Sequence, residues 1–137
     1  MMDVNISAFV VDNSYLIECI DNPNKFPLFF DLDIKKYTPH LLLYELSNVL
    51  LGKIKKNVID AHRAYDDIID RVVKMLHFVD YPKNENAIDI FHNAQKYNLT
   101  FYDAAYLQLA IDKTLPLATY DKQLIYAAEQ EGLQLLC

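Results

Sequence analysis

Apolar residues follow two rhythms along the chain. "AFVVD" (Ala8 to Asp12) is a short unbroken apolar run, the mark of a strand covered on both faces in a parallel sheet. "NSYLIECI" then turns to helical spacing. Asp21 to Pro27, with two prolines and two asparagines, reads as a loop. "KYTP" predicts a weak second strand. From His40 the spacing predicts a helix with Leu42, Leu46, Val49 and Leu50 on one face, ending near Gly52 and the Lys53–Lys56 cluster. Val58, Ala61, Tyr65, Ile68, Ile69 and Val72 mark a second long helix. "LHFVD" (Leu76 to Asp80) returns to strand until Pro82 breaks it. Ile88, Phe91 and Ala94 form another helical face, and Thr100 opens a helix running through Tyr106, Leu109 and Ala110. "LPLAT" is a strand, "KQLIYAAEQE" a helix ended by Gly132, and "LQLL" a last strand.

Strands and helices therefore alternate from end to end. That order predicts one α/β domain over 1–137: a mostly parallel sheet of about five strands between two helical layers. In such sheets ligands bind beyond the carboxyl ends of the strands. Four acidic residues fall there. Asp12 closes the first strand, and Asp121 follows the strand that ends near Thr119. Asp103 lies in the first turn of the helix from Thr100, and Glu45 in the second turn of the helix after "KYTP".

Each carboxylate has a plain structural reading. Thr100-x-x-Asp103 is a variant of the capping box, Asp121 is placed as an N-cap, and Asp12 can start a turn. Glu45 sits among Leu41, Leu42, Leu43 and Leu46, where a buried, unpartnered carboxylate is costly; a solvated helix face is the alternative. Together they form a stronger pattern. Two unit charges about 5 Å apart at an effective dielectric of about 20 repel by roughly 3 kcal/mol. A cluster of four persists if it binds a cation or shares protons. An all-oxygen donor set suits Mg²⁺ or Mn²⁺, and no His or Cys stands at these strand ends in ligand spacing. Such an ion lowers the pKa of bound water and offsets charge growing on a phosphate, so hydrolysis of a phosphodiester is a natural chemistry here.

Composition narrows the choice. Hydrophobic residues make up 53% and charged residues 23% of the 137, which argues against disorder. No apolar run approaches the roughly 20 residues of a membrane span, and no signal peptide is read at the N-terminus. Cys19 and Cys137 have no framework spacing, so neither a disulfide nor zinc is implied, and a reducing cytoplasm fits. Two glycines, Gly52 and Gly132, exclude a glycine-rich phosphate loop. The net charge is −6, with a pI of about 5.0, a field that does not attract nucleic acid. Lys53, Lys55, Lys56 and Arg63 form the one dense positive group, read either as an RNA contact or as a solvated helix end. His40, His62, His77 and His92 are scattered, without a Ser or Cys partner for nucleophilic catalysis.

At the carboxylates the sequence resembles the PIN-domain nucleases, and within them the VapC-type toxins of toxin–antitoxin pairs. "FVVDNSYLI" resembles the family's opening strand, "PHLLLYELSNVL" its second motif, "LTFYDAAYLQLA" its third and "PLATYDKQLIYAA" its fourth, in family order and over the family's length. The resemblance implies a Mg²⁺- or Mn²⁺-dependent endoribonuclease using one or two ions. By it, Asp12, Glu45, Asp103 and Asp121 are the catalytic and metal-holding residues, with Ser14 and Thr119 as supporting polar positions. It also implies an RNA substrate, a small antitoxin that blocks the site, and a homodimer. Tyr65, Tyr97, Tyr102 and Tyr106 are either surfaces for such partners or ordinary packing. A catalytically inactive PIN-like binding domain with a structural Mg²⁺ is the alternative. A receiver-type phosphoacceptor domain fits less well: Asp12 lacks an acidic neighbour, and Lys122 follows Asp121 into a helix.

Overall fold

The structure, a computed structural model, describes residues 5–136. Five strands, β1 (Ala8–Val11), β2 (Lys35–Pro39), β3 (His77–Val79), β4 (Leu117–Ala118) and β5 (Leu135–Leu136), form one sheet in the order β3-β2-β1-β4-β5. Every pairing is parallel, which goes beyond the mostly parallel sheet expected. Phe9, Val10 and Val11 are all buried because helices cover both faces, which is why β1 reads as an unbroken apolar run.

The helices are α1 (Asn13–Asp21), α2 (Pro27–Phe30), α3 (Leu41–Lys55), α4 (Arg71–Met75), α5 (Ala87–Tyr97), α6 (Phe101–Lys113) and α7 (Lys122–Gln130). α1 packs on α3, while α6 packs on α5 and α7 and lies across β1 and β2. Right-handed crossovers put the helices leading to β2 and β3 on one face and those leading to β4 and β5 on the other. The chain leaves β1 toward β2 and β3, then returns to β4 on β1's far side. The direction of winding thus reverses between β1 and β4, where Val11 pairs with Ala118.

Three sequence readings are corrected. The stretch Asp21–Pro27 is not a plain loop: α1 extends to Asp21, a 3₁₀ turn spans Pro23–Lys25, and Pro27 opens α2, where its missing N–H costs nothing. The second long helix does not include Val58. The Asp60 carboxylate accepts from the Arg63 amide at 2.8 Å and starts the helix there, leaving Val58 exposed; residues Arg63–Asp70 are wound as a π-helix that runs into α4. β2 is longer than "KYTP" and carries a buried lysine. Lys36 is 1% exposed, donates to the Asp31 carbonyl at 2.8 Å and lies over the Phe29 ring, and burial lowers its pKa. Gly132, with φ of +74°, ends the α7 segment as expected. Cys19 is a buried free thiol that burial pushes up to about 12; Cys137 lies outside the described residues. Among the described residues no helix is long and apolar enough to cross a membrane.

Candidate active site

The reversal between β1 and β4 opens a crevice, and local sequence sends polar side chains into it. Asp12 ends β1 in extended backbone and caps α1, its Oδ1 accepting from the Tyr15 amide at 2.9 Å. The turn reading of Asp12 thus becomes a helix cap. Asp121 caps α7 through the Leu124 amide at 2.9 Å. Thr100 caps α6 with its hydroxyl on the Asp103 amide at 3.1 Å, which sets Asp103 in the first turn. Glu45 sits one turn into α3.

Two hydroxyls bind the sides of the crevice together. Ser14 Oγ donates to Asp12 Oδ1 at 2.7 Å and accepts from the Tyr120 amide at 2.9 Å. Thr119 Oγ1 donates to Asp12 Oδ2 at 2.5 Å and accepts from the Asp121 amide at 3.0 Å. Each hydroxyl thus passes a backbone N–H of the β4–α7 turn on to the carboxylate at the end of β1. Asp12 is 4% exposed and accepts three hydrogen bonds. Asp12, Asn13, Ser14, Glu45, Asp103, Tyr106 and Asp121 line one cavity of about 200 Å³.

Sequence reasoning missed two members of this cavity. Tyr106 is buried, not a partner surface, and its hydroxyl donates to Glu45 Oε1 at 2.5 Å. The Asp-x-x-Tyr spacing on α6 was the available signal, since residues three apart share a helix face. Asn13 follows Asp12 directly, and its Oδ1 is buried without a donor among the described residues.

Charge in the cavity is one-sided. Burial pushes Asp12 up to about 6; the bonds from Thr119, Tyr15 and Ser14 oppose this, and the charge of Asp103 adds to it. Glu45 is raised by burial, with Asp103 and Asp12 adding and the Tyr106 bond opposing. Asp103 is raised by burial and by Asp121, against the Thr100 hydroxyl. Burial and the neighbouring Glu45 raise Tyr106, so its phenol stays a donor. The ion pairs among the described residues all lie elsewhere.

Lys53, Lys55, Lys56 and Arg63 are not brought to the carboxylates. Lys53 is about 12 Å along the α3 axis from Glu45 at 1.5 Å per residue, and its ammonium pairs with Asp21 at 3.7 Å. Arg63 lines a separate cavity with Asp67 and Arg71.

The donors fit a hard divalent cation. They are oxygens only, they carry excess negative charge, and one of them, Asn13 Oδ1, is buried with no proton to accept. Among the described residues no three His, Cys, Asp or Glu side chains converge as a ready coordination shell. The reason is visible in the bonds: Asp12, Glu45 and Asp121 are each turned toward a donor of their own.

The fold is similar to that of known proteins. It resembles the crystal structure of PAE2754 from Pyrobaculum aerophilum with a TM-score of 0.74 at 23% identity, over 95% of this chain and 83% of that one. It resembles FitAcB from Neisseria gonorrhoeae with a TM-score of 0.60 at 18% identity, over 94% and 96%. It also resembles FitAB bound to an IR36 DNA fragment, with a TM-score of 0.60 at 17% identity, over 93% of each chain. No curated protein matches the sequence. The family model of the PIN domain matches residues 9–130, from the middle of β1 to the end of α7 and across all four acidic positions. With that match and this topology, the chain belongs to the PIN-domain family.

Proposed function

We propose that the protein is a divalent-metal-dependent endoribonuclease, the VapC-like toxin of a toxin–antitoxin pair. The PIN-domain family is of nuclease type and typically uses divalent ions. The observation that carries the reading is one cavity lined by four carboxylates, two of them helix caps and two within helices, with no protein cation among the described residues to pair them. A bound Mg²⁺ or Mn²⁺, one ion or two, supplies a more acidic water and positive charge beside the phosphate.

The chain's own residues do the rest. Asp12, Asp103 and Asp121 would hold the cation, and Ser14 and Thr119 fix the rotamer of Asp12. Glu45, its Oε1 engaged by Tyr106, keeps Oε2 to orient a water and take its proton; its raised pKa suits a group that accepts one. The water oxygen bonds to phosphorus in line, the P–O3′ bond breaks, and O3′ leaves with its electron pair and is protonated. Placement and charge, not covalent chemistry, make up the protein's contribution. Lys53, Lys55, Lys56 and Arg63 touch RNA only on a remote flank. In this reading the protein works in the cytoplasm as a homodimer held in check by a small antitoxin.

A non-catalytic binding domain with a structural Mg²⁺ is the second reading, favoured by the distance of that basic group from the carboxylates. Purified protein incubated with total cellular RNA in Mg²⁺, in Mn²⁺ and in EDTA, beside Asp12→Asn, separates the two. Discrete metal-dependent fragments that the variant fails to produce are expected. No cleavage by folded, partner-free protein overturns the nuclease reading.

A further inference from the structure

Beside the carboxylates lies a second recess that the reaction does not use. It measures about 290 Å³ and is lined by Leu41, Tyr44, Glu45 and Asn48 of α3 and by Tyr102 of α6. The four α3 residues stand at i, i+3, i+4 and i+7, so they form one continuous stripe of the helix. The opposite wall is Tyr102, the residue before Asp103. The bond from Tyr106 to Glu45, one turn further along α6, holds the two walls in register. Glu45 lines both cavities, which makes them neighbours sharing one side chain.

The recess is chemically unlike the metal site. Glu45 is its only charged side chain, and no lysine or arginine lines it, so it does not suit a phosphate. Tyr44 is 73% and Tyr102 62% exposed, and neither ring has a ring partner or hydrogen bond among the described residues. Two large rings left bare in water offer stacking surface at a small ordering cost, two torsions each. The Asn48 amide carries both donor and acceptor, the combination that reads the edge of a base. Leu41 adds an apolar floor. Aromatic faces with one amide and no cation describe a seat for a planar heterocycle.

We infer that this recess takes an unpaired nucleobase next to the scissile phosphate. The inference rests on the endoribonuclease reading for its substrate. A strand whose phosphate lies at the carboxylates brings an adjoining base to the shared Glu45 wall, and a base in a duplex is already stacked and cannot enter. A polypeptide partner is the competing occupant; contact with the reaction site through Glu45 favours the base.

The test uses Tyr44→Ala, Tyr102→Ala and the two Tyr→Phe variants. Cleavage kinetics are measured on an unpaired oligoribonucleotide. Binding is followed by quenching of 2-aminopurine placed at each position of the oligoribonucleotide in turn, in an Asp12→Asn background that leaves the strand intact. Each alanine variant is expected to raise KM about tenfold, with kcat little changed, and to lose the quench. Both phenylalanine variants keep near wild-type values, because the ring and not the hydroxyl does the stacking. Both positions are exposed, so the variants keep the wild-type melting curve. Cleavage with unchanged KM and unchanged quench in the alanine variants overturns the base seat and leaves the recess to a polypeptide. Quenching that the alanine variants lose, in a wild type that cleaves no RNA, upholds the seat while the nuclease reading fails. Neither cleavage nor quenching overturns both.

Discussion

Replacing Asp12 by Asn should stabilise the metal-free protein at neutral pH and do the opposite in acid. Burial raises the Asp12 carboxyl from 3.8 to about 6. The folded state therefore binds this proton more tightly than the unfolded chain does. Its contribution is fully present below about pH 4 and is lost as pH rises through about 6. A shift of about two units corresponds to roughly 3 kcal/mol that the ionised side chain takes from stability at pH 7.5. Asparagine carries no such charge, but its amide cannot satisfy every donor. If its Oδ1 stays with the Tyr15 amide, its Nδ2 meets Thr119 Oγ1, which must turn its proton away, toward Ser14 Oγ at 3.3 Å. One weakened hydrogen bond costs about 1 kcal/mol. The variant should gain about 2 kcal/mol at pH 7.5 in EDTA, on the order of 5–10 °C in Tm for a chain of this length. Near pH 4 it should be about 1 kcal/mol less stable than wild type. Urea denaturation followed by circular dichroism, at pH steps between these limits, reads both arms. Glu45 and Asp103 are raised as well, so the variant keeps a shallower slope of the same sign. Two parallel pH profiles, or a variant weaker than wild type at pH 7.5, would refute a buried and charged Asp12.

Other consequences are open to direct measurement. Millimolar Mg²⁺ or Mn²⁺ should raise the wild-type Tm in proportion to ln(1 + [M]/Kd), with a much smaller rise in Asp12→Asn; equal rises in both would show binding elsewhere. Tyr106→Phe removes the donor that lowers Glu45, so the acidic limb of the pH–rate profile should move to higher pH and stability should fall by about 1–2 kcal/mol; an unmoved limb argues that Glu45 does not handle the proton. Lys36→Met should be neutral or stabilising by about 1 kcal/mol, because it removes a desolvated ammonium while the Asp31 carbonyl keeps the Ile34 amide; a large loss in urea titration would show the ammonium to be structurally required.

What could be read from the sequence follows the range of the interactions involved. Asp12 and Asp121 announce themselves because a cap acts over three residues, and both sit where an apolar run gives way to a helix. Glu45 stands out because a carboxylate in a leucine-rich helix needs a partner. That the partner is Tyr106 was hidden: 61 residues separate them, and only the passage of α6 beside α3 joins them. Likewise, β2 looked weak because a lysine lowers any strand reading, and no local pattern tells that Asp31 and Phe29 close over the Lys36 head. The cluster from Lys53 to Arg63 is dense in sequence yet leads away from the site, since α3 carries Lys53 about 12 Å along its axis from Glu45 at 1.5 Å per residue.

The hydroxyl bridge between Asp12 and Thr119 spans 107 positions of the chain. Its meaning for biosynthesis is simple. As the polypeptide emerges, Asp12 and Glu45 appear early, but β1 has no β4 beside it, and the crevice has only one wall. Asp103 and Asp121 follow only after more than fifty further residues, so no product that stops short of Asp121 holds the four carboxylates together. Closing such a distant parallel pair is also among the slower steps of folding. On the nuclease reading proposed above, the nascent chain is thereby inert toward RNA, its own message included, until β4 has emerged and paired with β1.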